Sequence, residues 1–202
     1  MSSSPSAAES SESSPSAPSA GASDGAGSST SANPSSPADT PSPSDAPAPE
    51  AMDASEPATI AIPGLDVTSE VMELGLQENG VIEVPPYGGG SPAGWFTRSP
   101  TPGERGPSVI LGHRNAYEGG PGIFAELPSM EVGDSVEITR DDGSTARFTV
   151  YRTEQFSQEN FPTLEVYGNT AGPELRLITC DGLNEETGAL EDNFIAYAKL
   201  QP

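Results

Sequence analysis

The sequence has very few of the residues that build metal sites and disulfide frameworks. Its 202 residues include one Cys, one His and one Trp. A single Cys excludes an intrachain disulfide, and one Cys with one His leaves only carboxylates to complete a metal site. We therefore expect no metal ion and no other cofactor.

Basic residues and long apolar runs are also scarce. Eight Lys and Arg residues stand against 30 Asp and Glu, for a formal net charge of −22. A chain of this charge repels phosphates, which excludes a broad nucleic-acid binder. No stretch approaches the roughly 18 apolar residues of a membrane-spanning helix. Residues 1–58 lack the charged start and apolar centre of a secretory signal.

Residues 1–58 consist almost entirely of Ser, Ala, Pro, Gly, Asp and Glu, with Met52 as the one large apolar side chain after Met1. They carry eight acids and no base, which leaves a formal charge of −14 for residues 59–202. Such a segment buries too little apolar surface to offset the cost of ordering it. We predict a disordered linker, which serves either as a spacer or only for solubility.

Residues 59–202 contain short apolar runs separated by Gly, Pro and Asp. Many short strands with few helices are typical of an all-β sandwich or a closed barrel. Helical turns are expected only at 122–127 and 162–167. The predicted strands are 59–63, 67–74, 81–84, 95–96, 108–111, 135–140, 146–151, 174–179 and 193–200.

The only thiol and the only imidazole both follow apolar strands. Cys180 ends the run that begins at Leu175, and His113 follows the run from Val109 to Gly112. A lone Cys is more often an inert buried residue, and a lone His is usually structural. Together, however, a thiol and an imidazole suffice for acyl transfer, because the thiolate attacks a carbonyl and the imidazolium protonates the leaving amine. The pair permits a cysteine acyl-transfer enzyme on a β scaffold.

These residues also carry a resemblance to a known family. The run 177–180 is similar to the end of the TLxTC signature of sortases, and Gly112-His113 resembles the sortase histidine motif. Further stretches resemble actinobacterial class F or class E-like sortases, and they occur in the expected order over nearly all of 59–202. The similar pieces are 74–76, 81–85, 93–96, 100–104, 106–107, 120–124, 133–134, 173–180 and 192–193.

The resemblance implies a closed eight-stranded sortase-like β-barrel with one or two short helices, preceded by the disordered tail. It also implies a cysteine transpeptidase that cleaves a C-terminal LPxTG-like sorting signal and transfers it to an amine of peptidoglycan or a pilin. Cys180 is then the nucleophile and His113 the general acid and base. Ile178, Thr179 and Arg114 are expected to contact substrate.

The family further implies an extracytoplasmic location at the cell surface and a membrane anchor, which this chain does not contain. A monomer is expected. The spacer interpretation of residues 1–58 agrees with a domain held away from an anchor.

One family residue departs from the pattern. In the best-known sortases, an Arg thirteen positions beyond the Cys binds substrate and stabilises the oxyanion. In this sequence that position is Asn193. Arg176, Arg114 and Asn193 are the candidates for this role. We favour Arg176, because it lies four residues before Cys180 and strand alternation places the two on one face. The alternative for Arg176 is a surface salt bridge.

Other interpretations remain open. A catalytically impaired sortase fold that only binds peptides is the main alternative, and an L,D-transpeptidase or a purely structural β domain ranks lower. The acidic residues after Cys180 form either a solvated loop, a calcium site or an attractive patch for an amine. They are Glu185, Glu186, Glu191 and Asp192.

Overall fold

A computed structural model of the protein describes residues 49–116, 120–157, 160–180 and 192–202, with Cys180 described by its backbone. The linker prediction rests mainly on residues 1–48, which lie outside the described residues, and it stays a prediction.

The described residues form a closed barrel of eight strands in the order β1-β2-β3-β4-β7-β8-β6-β5. This confirms the all-β class and the closed barrel. The β2/β3 and β4/β7 pairs are parallel and the other pairs are antiparallel. The strands are β1 (Pro57–Ile62), β2 (Val67–Leu74), β3 (Ala93–Phe96), β4 (Gly106–His113), β5 (Ser135–Arg140), β6 (Thr145–Phe156), β7 (Pro173–Cys180) and β8 (Asn193–Leu200).

In the part of the chain that the structure describes, helical structure is limited to short pieces between strands. The helix α1 (Thr163–Tyr167) lies between β6 and β7, as the sequence predicted. Two 3₁₀ turns cover Pro63–Leu65 and Leu127–Ser129. Each of these begins with or next to a proline, whose fixed φ suits a first helical position but does not sustain a long helix.

Two apolar clusters lie on opposite faces of the same strands. Alternate residues such as Ile110, Leu177 and Ala196 belong to the larger cluster, to which most strands contribute and which fills the barrel. Their sequence neighbours, among them Leu111 and Ile178, belong to a second cluster outside the barrel that also contains Val166 of α1. Because both faces of β4 are covered, all eight of its residues are buried.

The folded part begins earlier than residue 59. The Met52 amide donates to the Gly103 carbonyl at 2.8 Å, and the buried Arg140 guanidinium donates to the Asp53 carbonyl at 2.8 Å. β1 itself starts at Pro57. Composition missed this segment because backbone groups, which carry no sequence signal, make most of its contacts.

One local prediction is wrong. The predicted strand at 81–84 makes only a single bridge, from Ile82 to Leu76, within a loop that Gly80 turns with a φ of +81°. Ile82 packs on the outer cluster, but Val81 and Val84 are exposed, so no regular strand forms. The predicted helical turn at 122–127 is present as consecutive turns, with hydrogen bonds from the Ala125 amide to Gly122 and from the Leu127 amide to Phe124, that lead into the 3₁₀ turn.

Candidate active site

The pairing of β4 with β7 brings the only His and the only Cys together. The two strands run parallel in continuous register from Gly106 opposite Pro173 to His113 opposite Cys180. Both residues are therefore the last positions of adjacent strands, about 4.8 Å apart across the sheet. Residues 67 positions apart in the chain meet at one edge, as the acyl-transfer hypothesis requires.

His113 is buried beneath the segment that joins β2 to β3. Its side chain is 2% exposed. Nε2 lies 2.6 Å from the Pro85 carbonyl oxygen, and the ring stacks on Tyr87 with centroids 3.9 Å apart at 27°. Sequence reasoning treated 85–90 only as a loop and missed both contacts. The Pro-Pro-Tyr run was the available signal, because two prolines favour a stiff extended segment.

Strands β8 and β6 extend the line of paired residues that begins with His113 and Cys180. β7 pairs with β8 up to Ile178 opposite Ile195, and two more residues along the same register place Cys180 opposite Asn193. Asn193 in turn pairs with Phe156 of β6. We call His113, Cys180, Asn193 and Phe156 the catalytic row. Asn193 is half-buried, and this register sets it across from Cys180 on the adjacent strand.

Arg176 is held elsewhere. Four residues of strand separate it from Cys180, which is about 13 Å along β7. Its side chain is 3% exposed and forms an ion pair with Glu174 at 2.8 Å. Its guanidinium carbon lies 4.7 Å from the centre of the Tyr197 ring. The salt bridge weighed for this residue is therefore present, but buried rather than at the surface, and Arg176 is not brought into the catalytic row.

The other predicted substrate contacts have different positions. Thr179 is completely buried, and its hydroxyl accepts a 2.8 Å hydrogen bond from the Phe194 amide, so it joins β7 to β8. Ile178 is 3% exposed and packs in the cluster outside the barrel. Arg114 follows His113 and is half-buried, and its carbonyl accepts a 2.8 Å hydrogen bond from Gly122. Of the three, Arg114 is the most exposed beside the catalytic row.

Two segments border the outer face of β4 and β7. The β2–β3 segment contributes Ile82 to the outer cluster, and the β6–β7 segment contributes Phe161 and α1. Leu164 of α1 is 89% exposed. Together the two segments cover this face, so that Leu111 and Ile178 beneath them are buried.

Two ion pairs connect β6 with α1. Arg152 of β6 bonds to Glu154 of the same strand and to Glu165 of α1, and these bonds raise its pKa. The Arg152 guanidinium also lies over the Tyr197 ring. Tyr197 of β8 pairs with Arg152 of β6 on one side and with Arg176 of β7 on the other. Burial raises the pKa of Tyr197, so this phenol stays neutral between the two cations.

The described residues contain neither a clustered metal site nor a membrane-spanning helix. The described residues contain no group of three or more His, Cys, Asp or Glu side chains arranged to hold a metal ion. Asp192 accepts a hydrogen bond from Gln155 at 3.3 Å. The other members of the acidic cluster, Glu185, Glu186 and Glu191, lie outside the described residues. Within those ranges, none of the helices has the length and apolar character required to span a bilayer.

Comparison with known proteins agrees with the barrel. A sortase-domain family model matches residues 60–201. The chain is similar to the sortase D5 transpeptidase of Clostridium perfringens, with a TM-score of 0.53 and 23% identity over 73% of this chain and 79% of that one. It is also similar to sortase A of Corynebacterium diphtheriae, with a TM-score of 0.53 and 20% identity over 74% of this chain and 62% of that one. The curated proteins gave no significant match.

Proposed function

The chain belongs to the sortase family, and we propose that it is a cysteine transpeptidase of class F or a class E-like type. Family membership supports a cysteine transpeptidase that uses a sorting-signal peptide and an amine nucleophile. The class assignment rests on the sequence pieces around Pro85, Trp95 and Pro102, which resemble actinobacterial members. The structures named above are of a class D and a class A sortase. At 23% and 20% identity, their similarity to this chain shows a shared fold.

The observation that carries the proposal is the register of β4 and β7, which pairs His113 with Cys180. In the proposed reaction the Cys180 thiolate attacks the Thr carbonyl of an LPxTG-like signal. The tetrahedral intermediate expels the following residue as an amine, which takes a proton from His113. An amine of peptidoglycan or a pilin then attacks the thioester, gives up a proton to His113 and releases the thiol.

Asn193 is the oxyanion donor in this proposal, in place of the family's Arg. Its support is the register of β7 with β8, which pairs Ile178 with Ile195 and, extended by two residues, sets Asn193 opposite Cys180. An amide donates a hydrogen bond to an oxyanion but brings no charge, so it is a weaker donor than a guanidinium. We therefore expect a slower enzyme than a sortase with Arg at this position.

The proposed location follows the family, which is associated with the cell surface. Residues 1–58 are proposed to serve as an acidic spacer, because their composition favours an extended, solvated chain. A net charge of −22 also favours the approach of cationic groups such as a protonated amine. The protein is proposed to act there as a monomer.

The experiment is an acyl-transfer assay with the full chain. A panel of LPxTG-like peptides is incubated with diglycine or diaminopimelate, and mass spectrometry follows an adduct on Cys180 and the ligated product. Cys180→Ala should abolish both, and His113→Ala should reduce both by at least 100-fold while the far-UV circular dichroism stays native. An adduct that survives in Cys180→Ala would refute the assignment.

A catalytically impaired, peptide-binding sortase fold is the second candidate. The observation that favours it is the neutral Asn193 at the position where the family has a cation. Under this alternative the folded chain binds a peptide of the panel, as measured by calorimetry, yet forms neither adduct nor product with any nucleophile. Adduct and product together exclude it.

A further inference from the structure

The hydrogen bond at His113 determines which of its ring nitrogens carries a proton. Nε2 lies 2.6 Å from the Pro85 carbonyl oxygen, well within hydrogen-bond distance. A carbonyl oxygen has no hydrogen to give, so the bond requires a proton on Nε2. In neutral His113 the lone pair is therefore on Nδ1.

The Tyr87 ring keeps the imidazole in this orientation. The two rings are stacked with centroids 3.9 Å apart and planes inclined by 27°. A 180° rotation of the imidazole would exchange Nε2 for a carbon and break the bond to Pro85. Such a rotation has to sweep the ring through the stacked position of Tyr87. Because His113 is 2% exposed, water does not readily replace the lost bond.

The Pro85 carbonyl is itself held in place. Pro85 is buried, and its own ring fixes φ while the following Pro86 restricts Pro85 to extended conformations. Upstream, the Glu83 amide donates to the Gly75 carbonyl at 3.1 Å, and the Gly75 amide donates to the Glu83 carboxylate at 2.7 Å. These bonds anchor the segment immediately before Pro85, so its carbonyl approaches His113 from a fixed direction.

We propose that Pro85 and Tyr87 are positioning residues that hold His113 as the Nε2–H tautomer, so that Nδ1 is the nitrogen that exchanges protons during catalysis. This inference rests on the proposed transpeptidase function. Nδ1 accepts the Cys180 thiol proton as the thiolate forms, and it returns that proton to the leaving amine. It next accepts a proton from the attacking amine and gives it back to the departing Cys180 sulfur. Nε2 keeps its proton throughout.

The direct test is the tautomer of the only histidine in the chain. Full-length protein labelled with ¹⁵N-histidine gives one pair of ring nitrogen signals, read in a long-range ¹H–¹⁵N correlation spectrum at a pH where the imidazole is neutral. We expect the protonated nitrogen to correlate strongly with both ring carbon-bound hydrogens, which identifies Nε2–H. A protonated nitrogen that correlates strongly with Hε1 alone, or an averaged mixture, would overturn the proposal. This readout does not depend on activity, so it is separate from the failure of the proposed function.

A pair of variants tests the role of the ring. Tyr87→Phe keeps the stacked ring and should keep the tautomer. Tyr87→Ala should give an averaged tautomer signal and a roughly 2- to 10-fold lower kcat, the value of one aromatic stack, with KM little changed. A raised KM with the native tautomer and kcat would instead indicate that Tyr87 contacts the peptide, and it would overturn the positioning role.

Pro86→Ala offers a second route if Tyr87→Ala fails to fold. It frees the backbone of Pro85 while leaving every ring contact of His113 in place. We expect a partly averaged tautomer signal and a smaller fall in kcat than for Tyr87→Ala. An unchanged tautomer and kcat in Pro86→Ala would contradict the claim that the proline pair fixes the carbonyl.

Discussion

Asn193 and Arg176 compete for the oxyanion role, and two substitutions separate them. Asn193→Ala removes the amide that lies opposite Cys180 in the catalytic row. Loss of one oxyanion donor lowers kcat by roughly 10²- to 10³-fold. Because Asn193 is half-buried at the start of β8, we expect its loss to change the free energy of unfolding by only about 0.5 kcal/mol.

Arg176→Met should have the opposite effect, with a large loss of stability and little change in kcat. This substitution removes a side chain that is 3% exposed and leaves Glu174, 12% exposed, without its cation. Breaking a buried ion pair costs about 3–5 kcal/mol, and we expect the lower end because the Glu174 carboxylate keeps its 2.8 Å hydrogen bond from Tyr151. With Arg176 about 13 Å from Cys180, kcat of the folded fraction should stay within about threefold of native.

The assay measures two quantities on each variant. Mass spectrometry gives the rate of ligated product at saturating peptide, and urea unfolding gives the free energy of unfolding. Asn33→Ala, in the acidic linker, is the matched control for the loss of an amide. Asn193→Arg should exceed the native rate, since a charged donor is about twice as strong as a neutral one. A native rate in Asn193→Ala, or a 100-fold loss in folded Arg176→Met, would refute the assignment.

Two further predictions concern stability. Hydrogen bonds from Ser144 and Arg140 lower the pKa of Asp142 from 3.8 to about 2; this contribution is present above pH 3.8 and is lost as the pH falls through about 2. Urea midpoints between pH 5 and pH 2 should therefore fall less steeply for Asp142→Asn than for the native chain, and equal slopes would contradict the linkage. Gly112→Ala should destabilise by about 1–3 kcal/mol, because its Cβ would overlap the Phe124 ring and lie 2.8 Å from Ile123 Cγ2. Gly89→Ala is the control, because nothing lies within 4 Å of its Cβ. Equal urea midpoints for the two variants would show that Ile123 and Phe124 move aside without cost.

The alternation of apolar and polar residues along the sequence predicted most of the strands. The predicted ranges 67–74, 135–140 and 193–200 coincide with β2, β5 and β8. Alternating apolar residues and the turn at 141–144 are local signals, and local backbone preferences decide them. The segment 81–84 was wrongly predicted as a strand because its apolar residues form only the single bridge to Leu76 and no longer ladder with a neighbouring strand.

The sequence by itself determined the chemistry available to the site, because one thiol and one imidazole at strand ends, with the flanking motifs, indicate cysteine acyl transfer. Only the tertiary structure decided which distant residues lie beside these strand ends. Arg176 lies about 13 Å from Cys180 along β7, and its guanidinium pairs with Glu174. The contacts of Pro85 and Tyr87 with His113 span 28 and 26 positions. Strand register and loop packing create such contacts, and neither is encoded in the spacing of residues along one segment.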